Sequence, residues 1–210
     1  MKDWNALYKT EKDPFGIEPS LLVKNFLNQI PKGQPILDLG CGSGRNSLYL
    51  GKEGFKVTCV DISSEAINTL LLKAQEMGVK DKIKAIVQDA SKFDGWGKYG
   101  LIICYTTLHF LSDSGARQLI KNIKEHTIGK GLNIIADFAG DGPLKRDNGG
   151  FWLKNEELKS LYSGWKELFY KEDLSRTKAT DESGKPFMQN MAMLVSQNPI
   201  EHIQFYSVKQ

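Results

Sequence analysis

Two kinds of hydrophobic run alternate along most of this chain. Short, nearly unbroken apolar stretches occupy residues 35–39 (PILDL), 56–61 (KVTCVD), 83–88, 99–105 (YGLIICY) and 131–137 (GLNIIAD). Each has the length of a strand and is bounded by Gly, Pro or polar residues, and a strand apolar on both faces is one covered on both faces. Between them, residues 46–53, 64–77 and 114–125 read as helices, the second started by Ser63 or Ser64 as N-cap. Strands alternating with helices of this size predict a mostly parallel sheet with helices on both faces.

The two ends depart from this rhythm. In the lead-in, Trp4 and Tyr8 are four apart and share one face of a helical stretch. A break follows at Asp13-Pro14-Phe15-Gly16, and Ser20 is placed to cap a helix over residues 21–29 that carries Leu22, Phe26 and Ile30 along one side. Beyond the fifth strand, residues 154–163 read as helix and 165–170 as extended; residues 190–196 read as a last strand after a turn at Thr180-Asp181-Glu182-Ser183-Gly184. A hairpin closing the sheet accounts for this pattern. The mixed charges of residues 166–178 predict a solvated face. No repeat or low-complexity run divides the chain, so one domain over residues 1–210 is expected. Its parts are a lid-like lead-in (1–34), a ligand-binding half (35–140), a substrate-side half (141–198) and a tail (199–210) of unassigned role.

Composition narrows the partners. A net charge of +3 on 210 residues is spread along the chain without a basic block, so nucleic acid is not an expected partner. No apolar run approaches the roughly 18 residues a membrane helix needs. The start, Met1-Lys2-Asp3-Trp4-Asn5, has no apolar core of a secretory leader. Cys41, Cys59 and Cys104 are widely spaced, with no CxxC pair and no Cys/His cluster. That argues against a disulfide framework or metal site and for a reducing, cytoplasmic setting. Monomer and homodimer both remain open.

The chemistry concentrates in Leu37-Asp38-Leu39-Gly40-Cys41-Gly42-Ser43-Gly44-Arg45-Asn46, a buried strand running into alternating glycines and then a helix. Glycines allow a tight turn and close approach of a ligand, and a helix start presents free N–H groups. A dinucleotide fingerprint wants GxGxxG; here the third glycine falls one residue early, and the acid Asp38 lies two before the first. That combination suits S-adenosylmethionine (SAM), whose amino-acid end has no pyrophosphate and whose ammonium an acid can bind. Asp61 ends the second strand, where a carboxylate can take both ribose hydroxyls. Asp89 ends the third, within reach of an adenine amino group and flanked by Ala90.

Asp38 to Gly44, Asp61 and Gln88-Asp89-Ala90 resemble the motifs of class I SAM-dependent methyltransferases. The longer run continuing through Arg45-Asn46-Ser47-Leu48-Tyr49-Leu50 resembles the tellurite-resistance (TehB-like) methyltransferases. So do Phe151 through Glu157-Leu158, Tyr162-Ser163-Gly164-Trp165, Tyr170-Lys171-Glu172-Asp173, Thr180-Asp181 and Met191-Ala192-Met193-Leu194. The resemblance implies a Rossmann-like, seven-stranded sheet with a C-terminal antiparallel hairpin and SAM across the carboxyl ends of its strands. By position it implies Asp38, Gly40, Cys41, Gly42, Arg45 and Asn46 around the methionine part, Asp61 and Ile62 at ribose and adenine, Asp89 and Ala90 at adenine, and Tyr105 beside the donor. Cys41 would contribute its backbone there. Tyr8 is expected to line the site, with Trp4, Phe15 and Trp152 as further lid candidates. The tellurite-type pattern has a His-Arg pair before the Thr-Asp turn; this chain has Lys178-Ala179, with Arg176 or Lys178 available to replace the missing charge.

His109, after the fourth strand, is either a base or a packed residue hydrogen-bonded to backbone, and Asp137, ending the fifth, either faces the acceptor or caps a loop. Methyl transfer needs alignment and water exclusion first, and a base only where the acceptor must lose a proton. A soft, anionic tellurium or selenium oxyanion would need none. A small thiol, amine, hydroxyl or carboxylate is the competing acceptor class. The run Cys104-Tyr105-Thr106-Thr107 lacks the prolines of amino methyltransferases acting on bases or glutamine, and Cys104 is no ligand for a hard cation. A SAM-binding regulator without turnover and, more distantly, an NAD-dependent oxidoreductase are the rivals of other classes.

Overall fold

The computed structural model describes residues 3–140 and 150–199, with the side chains of residues 178–180 outside that description. Seven strands form one sheet in the order β3-β2-β1-β4-β5-β7-β6. They are β1 (Ile36–Leu39), β2 (Val57–Asp61), β3 (Ile83–Val87), β4 (Tyr99–Tyr105), β5 (Thr127–Phe138), β6 (Lys166–Thr180) and β7 (Pro186–Gln197). The first five are parallel, and β7 joins β5 and β6 antiparallel. The helices are α1 (Trp4–Thr10), α2 (Leu21–Phe26), α3 (Arg45–Lys52), α4 (Ser64–Glu76), α5 (Asp113–Glu125) and α6 (Glu157–Leu161).

Alternation along the strands builds two cores. Ile36, Leu101, Ile103 and Ile134 pack on one face with Leu50 of α3 and Ile67, Leu70 and Ala74 of α4. Leu37, Ile102, Cys104 and Ile135 pack on the other with Ala116, Leu119, Ile120 and Ile123 of α5. This is the expected two-sided α/β architecture with its terminal hairpin. Serine hydroxyls set the helix starts: Ser20 accepts from Val23 N–H, Ser63 from Ala66 N–H and Ser112 from Gly115 N–H.

The ends differ from expectation in three places. The helix expected over residues 21–29 tightens into a 3₁₀ turn at Leu27–Gln29. The one expected over 154–163 is confined to Glu157–Leu161, because Glu156 takes a left-handed φ of 56° just before it. The closing strands are far longer than residues 165–170 and 190–196. Phe138, the last residue of β5, pairs with Met191, but β6 and β7 continue pairing to Thr180–Pro186. The hairpin thus overhangs the carboxyl edge of the parallel strands. Among the described residues its charged side chains are exposed except Glu172, as expected for an edge strand with one unpaired side. Residues 200–210, most of the expected tail, lie outside the described residues.

Candidate functional site

The carboxyl ends of β1 and β4 flank the point where the strand order reverses, the usual crevice for a ligand in an open parallel sheet. After β1 the chain turns through Gly40 (φ 71°), Cys41 and Gly42 (φ 56°), then enters α3. The turn is tied to β2: Gly40 and Cys41 N–H donate to the Val60 carbonyl at 2.8 and 3.0 Å, and Gly42 N–H donates to Asp61 Oδ2 at 2.8 Å. Asp61 Oδ1 accepts from Ser63 N–H at 2.9 Å. Burial raises its carboxyl group, with the Ser63, Gly42 and Ile62 N–H groups pulling back. A carboxylate offers about four acceptor positions, so these bonds leave room for ribose hydroxyls.

The other expected contacts fall around this turn. Asp38 is 2% exposed, and its Oδ2 accepts from Ser47 Oγ at 2.6 Å, which places it a layer beneath the crevice. Asn46 is buried, and its side-chain oxygen accepts from Ser20 N–H at 2.8 Å, anchoring the start of α2. The Arg45 guanidinium stands 4.9 Å from the centre of the Tyr105 ring at the end of β4. Burial raises the Tyr105 hydroxyl, and Arg45 lowers it in part. The Cys41 thiol is pushed well up by burial and by its neighbour Cys59, so Cys41 offers backbone and no thiolate. At the ends of β2 and β3, Ile62 presents an exposed apolar side chain, Ala90 is buried, and Asp89 caps a short turn by accepting from Ser91 N–H at 2.8 Å.

The lead-in closes over this turn. Asn5 Oδ1 accepts from Ser63 Oγ at 2.8 Å, and Asp13 takes both Ser43 Oγ at 2.8 Å and the Lys73 ammonium. Tyr8 is buried, its hydroxyl raised by burial and by the nearby Asp61. A Cβ built on Gly42 would lie 2.5 Å from the Tyr8 hydroxyl, so this cradle admits backbone only. Trp4, Phe15 and Phe110 join in ring contact, with Trp4–Phe110 centroids 4.8 Å apart and Trp4–Phe15 6.3 Å. Trp152 lies instead against Phe138, with centroids 5.4 Å apart, beyond the end of β5.

At the ends of β4 and β5 the expected backbone partner of His109 is replaced by a side chain. Its Nδ1 lies 2.6 Å from Asp137 Oδ1, bringing together two residues that the sequence offered separately. Thr106, the residue after β4, has φ 53°, a strained conformation for a β-branched residue that tends to mark functional sites. Arg176 sits on the overhanging hairpin, paired in register with Met188; the Lys178 side chain lies outside the described residues. Two contributors escaped the sequence reading. Thr107 packs against Gly40 and donates to the Leu39 carbonyl at 3.3 Å, and Phe110 completes the lid contact. Their only signal was position just after the fourth strand.

Glycine backbone at the turn, carboxylates at the ends of β2 and β3 and a guanidinium above β4 match a zwitterionic nucleoside of SAM's shape. The family model described as tellurite resistance protein TehB matches residues 23–195. The "probable S-adenosyl-L-methionine-dependent methyltransferase TehB" of Haemophilus influenzae is 32% identical over 163 residues, covering 77% of this chain and 56% of that protein. The crystal structure of TehB from Haemophilus influenzae superposes with a TM-score of 0.79 at 28% identity, over 93% of this chain and 67% of that one. Magnesium protoporphyrin IX methyltransferase from Synechocystis, solved with bound S-adenosylhomocysteine (SAH), shares the fold with a TM-score of 0.63 at 19% identity, over 84% of this chain and 80% of that one. The chain spans about half the length of the curated relatives it matches. With the family match running through both the glycine turn and the closing hairpin, this chain belongs to the TehB family.

Proposed function

We propose that this chain transfers a methyl group from SAM to a small acceptor bound between the ends of β4 and β5 and the overhanging hairpin. The observation that carries the reading is the convergence of the Gly40–Gly42 turn, Asp61 and Asp89 at the carboxyl ends of three neighbouring strands. Bound SAM supplies a methyl carbon already activated by its sulfonium. The protein's task is then alignment and exclusion of water. Asp61 holds the ribose, Asp89 the adenine amino group, and Ile62 and Ala90 the adenine faces. Arg45 sits where the methionine carboxylate needs a cation. Tyr8, Trp4 and Phe110 cover the turn. Residues 35–140 form the donor half and 141–198 the acceptor half of this scheme. A cytoplasmic setting is part of the proposal, supported by three buried free cysteines, Cys41, Cys59 and Cys104.

The family's description points to a tellurium oxyanion as acceptor, a selenium oxyanion being its chemical analogue, and Arg176 on the overhang supplies a cation on that hairpin. A second reading, a small organic acceptor, is favoured by the His109–Asp137 pair, which an already anionic acceptor would not need. Release of SAH from purified protein and SAM, with tellurite and selenite set against organic thiols, phenols, amines and acids, tests both. Turnover on the oxyanions supports the first reading; turnover confined to organic acceptors supports the second. SAM binding without SAH release in any mixture refutes the transferase reading and leaves a SAM-binding protein.

A further inference from the structure

The ends of β4 and β5 hold a charge relay in miniature. Asp137 is 1% exposed, and beyond His109 it accepts Leu108 N–H on Oδ2 at 2.7 Å and Phe138 N–H on Oδ1 at 2.8 Å. A carboxylate receiving two backbone N–H groups is itself an acceptor toward the ring. The hydrogen of the His109–Asp137 contact therefore sits on Nδ1, and in the neutral ring Nε2 carries the lone pair. Among the described residues, Nε2 has no hydrogen-bond partner. The ring is fixed between Phe110 and Phe138, with centroids 3.8 and 4.5 Å away, and Trp152 stands at 6.5 Å. The His109 side chain is 11% exposed, so a small molecule can reach it. Purely structural histidines rarely combine a buried carboxylate on one nitrogen, an open second nitrogen and aromatic walls beside a cofactor crevice.

We propose that His109 is the general base for an uncharged, protic acceptor with an apolar body, a small thiol or phenol, and that Asp137 is its positioning residue. This rests on the methyl-transfer reading above. The acceptor's lone pair forms the new bond to the methyl carbon while the bond from that carbon to sulfur breaks and its electron pair stays on sulfur. The acceptor proton passes to Nε2, and the resulting imidazolium is held by Asp137 until the proton leaves to water with product release. The aromatic walls take the acceptor's apolar body, and they offer nothing to solvate a small oxyanion.

The test is turnover of wild type and His109→Gln on a series of aryl thiols and phenols of graded acidity. The variant loses about 10²–10⁴-fold in kcat on the weakest acids. The loss shrinks as the acceptor becomes ionised in solution, while affinity for SAH is unchanged. A loss uniform across the series, or no loss, overturns the assignment alone. Wild type that turns over other acceptors but no member of this series overturns the assignment alone; wild type that binds SAH yet releases none from SAM with any acceptor overturns it together with the reading beneath it. A second readout needs no turnover: nitrogen-resolved NMR of the imidazole shows the Nδ1–H form in wild type and loss of that preference in Asp137→Asn. An Nε2–H form in wild type overturns the assignment.

Discussion

The indole of Trp4 meets the ring of Phe110 edge-on, with centroids 4.8 Å apart at an interplanar angle of 82°. This contact joins α1 to the loop after β4, elements more than a hundred residues apart in the chain, across the crevice assigned to the donor. Edge-to-face pairs of this kind contribute about 0.5–1.5 kcal/mol beyond the area they bury. Trp4→Ala and Phe110→Ala should each weaken SAH binding, and the double variant should lose less than the sum. A double-mutant cycle by calorimetry checks this; strict additivity would mean the two rings do not close the site together.

Gly42 faces Tyr8 across the turn. Alanine there must hold a left-handed φ, at about 1–2 kcal/mol, and push the Tyr8 hydroxyl away. Gly42→Ala should lower the unfolding midpoint and weaken SAM binding. Adding Tyr8→Ala should restore part of the binding by clearing the space, though the backbone cost remains. Absence of any such rescue would place the damage wholly in the backbone.

Burial pushes the Asp38 carboxyl up to about 6 from its ordinary 3.8, with Ser47 and Arg45 opposing. The folded chain therefore holds this proton more tightly than the unfolded one. Asp38's contribution to stability is full below about pH 4 and is lost as pH rises through about 6, a change of about 3 kcal/mol. Asp38→Asn keeps an acceptor for the Ser47 hydroxyl and carries no charge. Its stability should decline less than that of wild type between those pH values, measured as denaturant midpoints across the range. Identical slopes would show that Asp38 titrates as an exposed acid.

Much of this was legible because parallel strands are buried on both faces and announce themselves as apolar runs: residues 35–39 and 99–105 needed no context. The glycine turn was equally plain, since three glycines at alternate positions have few other uses. The overhang of β6 and β7 was not. An edge strand alternates exposed charges with half-buried residues, so residues 166–178 read as a solvated face with only 165–170 extended, where a 15-residue strand runs. The link between His109 and Asp137 was hidden for another reason. It exists only because β4 and β5 are neighbours in register, with Tyr105 opposite Ala136. Nor does the sequence show that Asn46 and Asp38, both in the glycine motif, spend side-chain oxygens on Ser20 and Ser47.

Arg176 lies on that hidden overhang. If oxyanions are acceptors, Arg176→Ala should raise the KM for tellurite or selenite by about tenfold or more, the loss of one charge-assisted contact. Its KM for SAM should not move. A KM for the oxyanion equal to wild type would remove Arg176 from the acceptor site.

The proposed donor site depends most directly on Asp61, whose two oxygens hold Gly42 and Ser63 at the carboxyl end of β2. Calorimetric titration of SAH into wild type and Asp61→Ala is the decisive measurement. Binding by wild type and a loss of about 10–100-fold in the variant, the scale of hydrogen bonds to a charged group, is the predicted result. Equal affinity in the two proteins would contradict the placement of the donor at the carboxyl ends of β1 and β2.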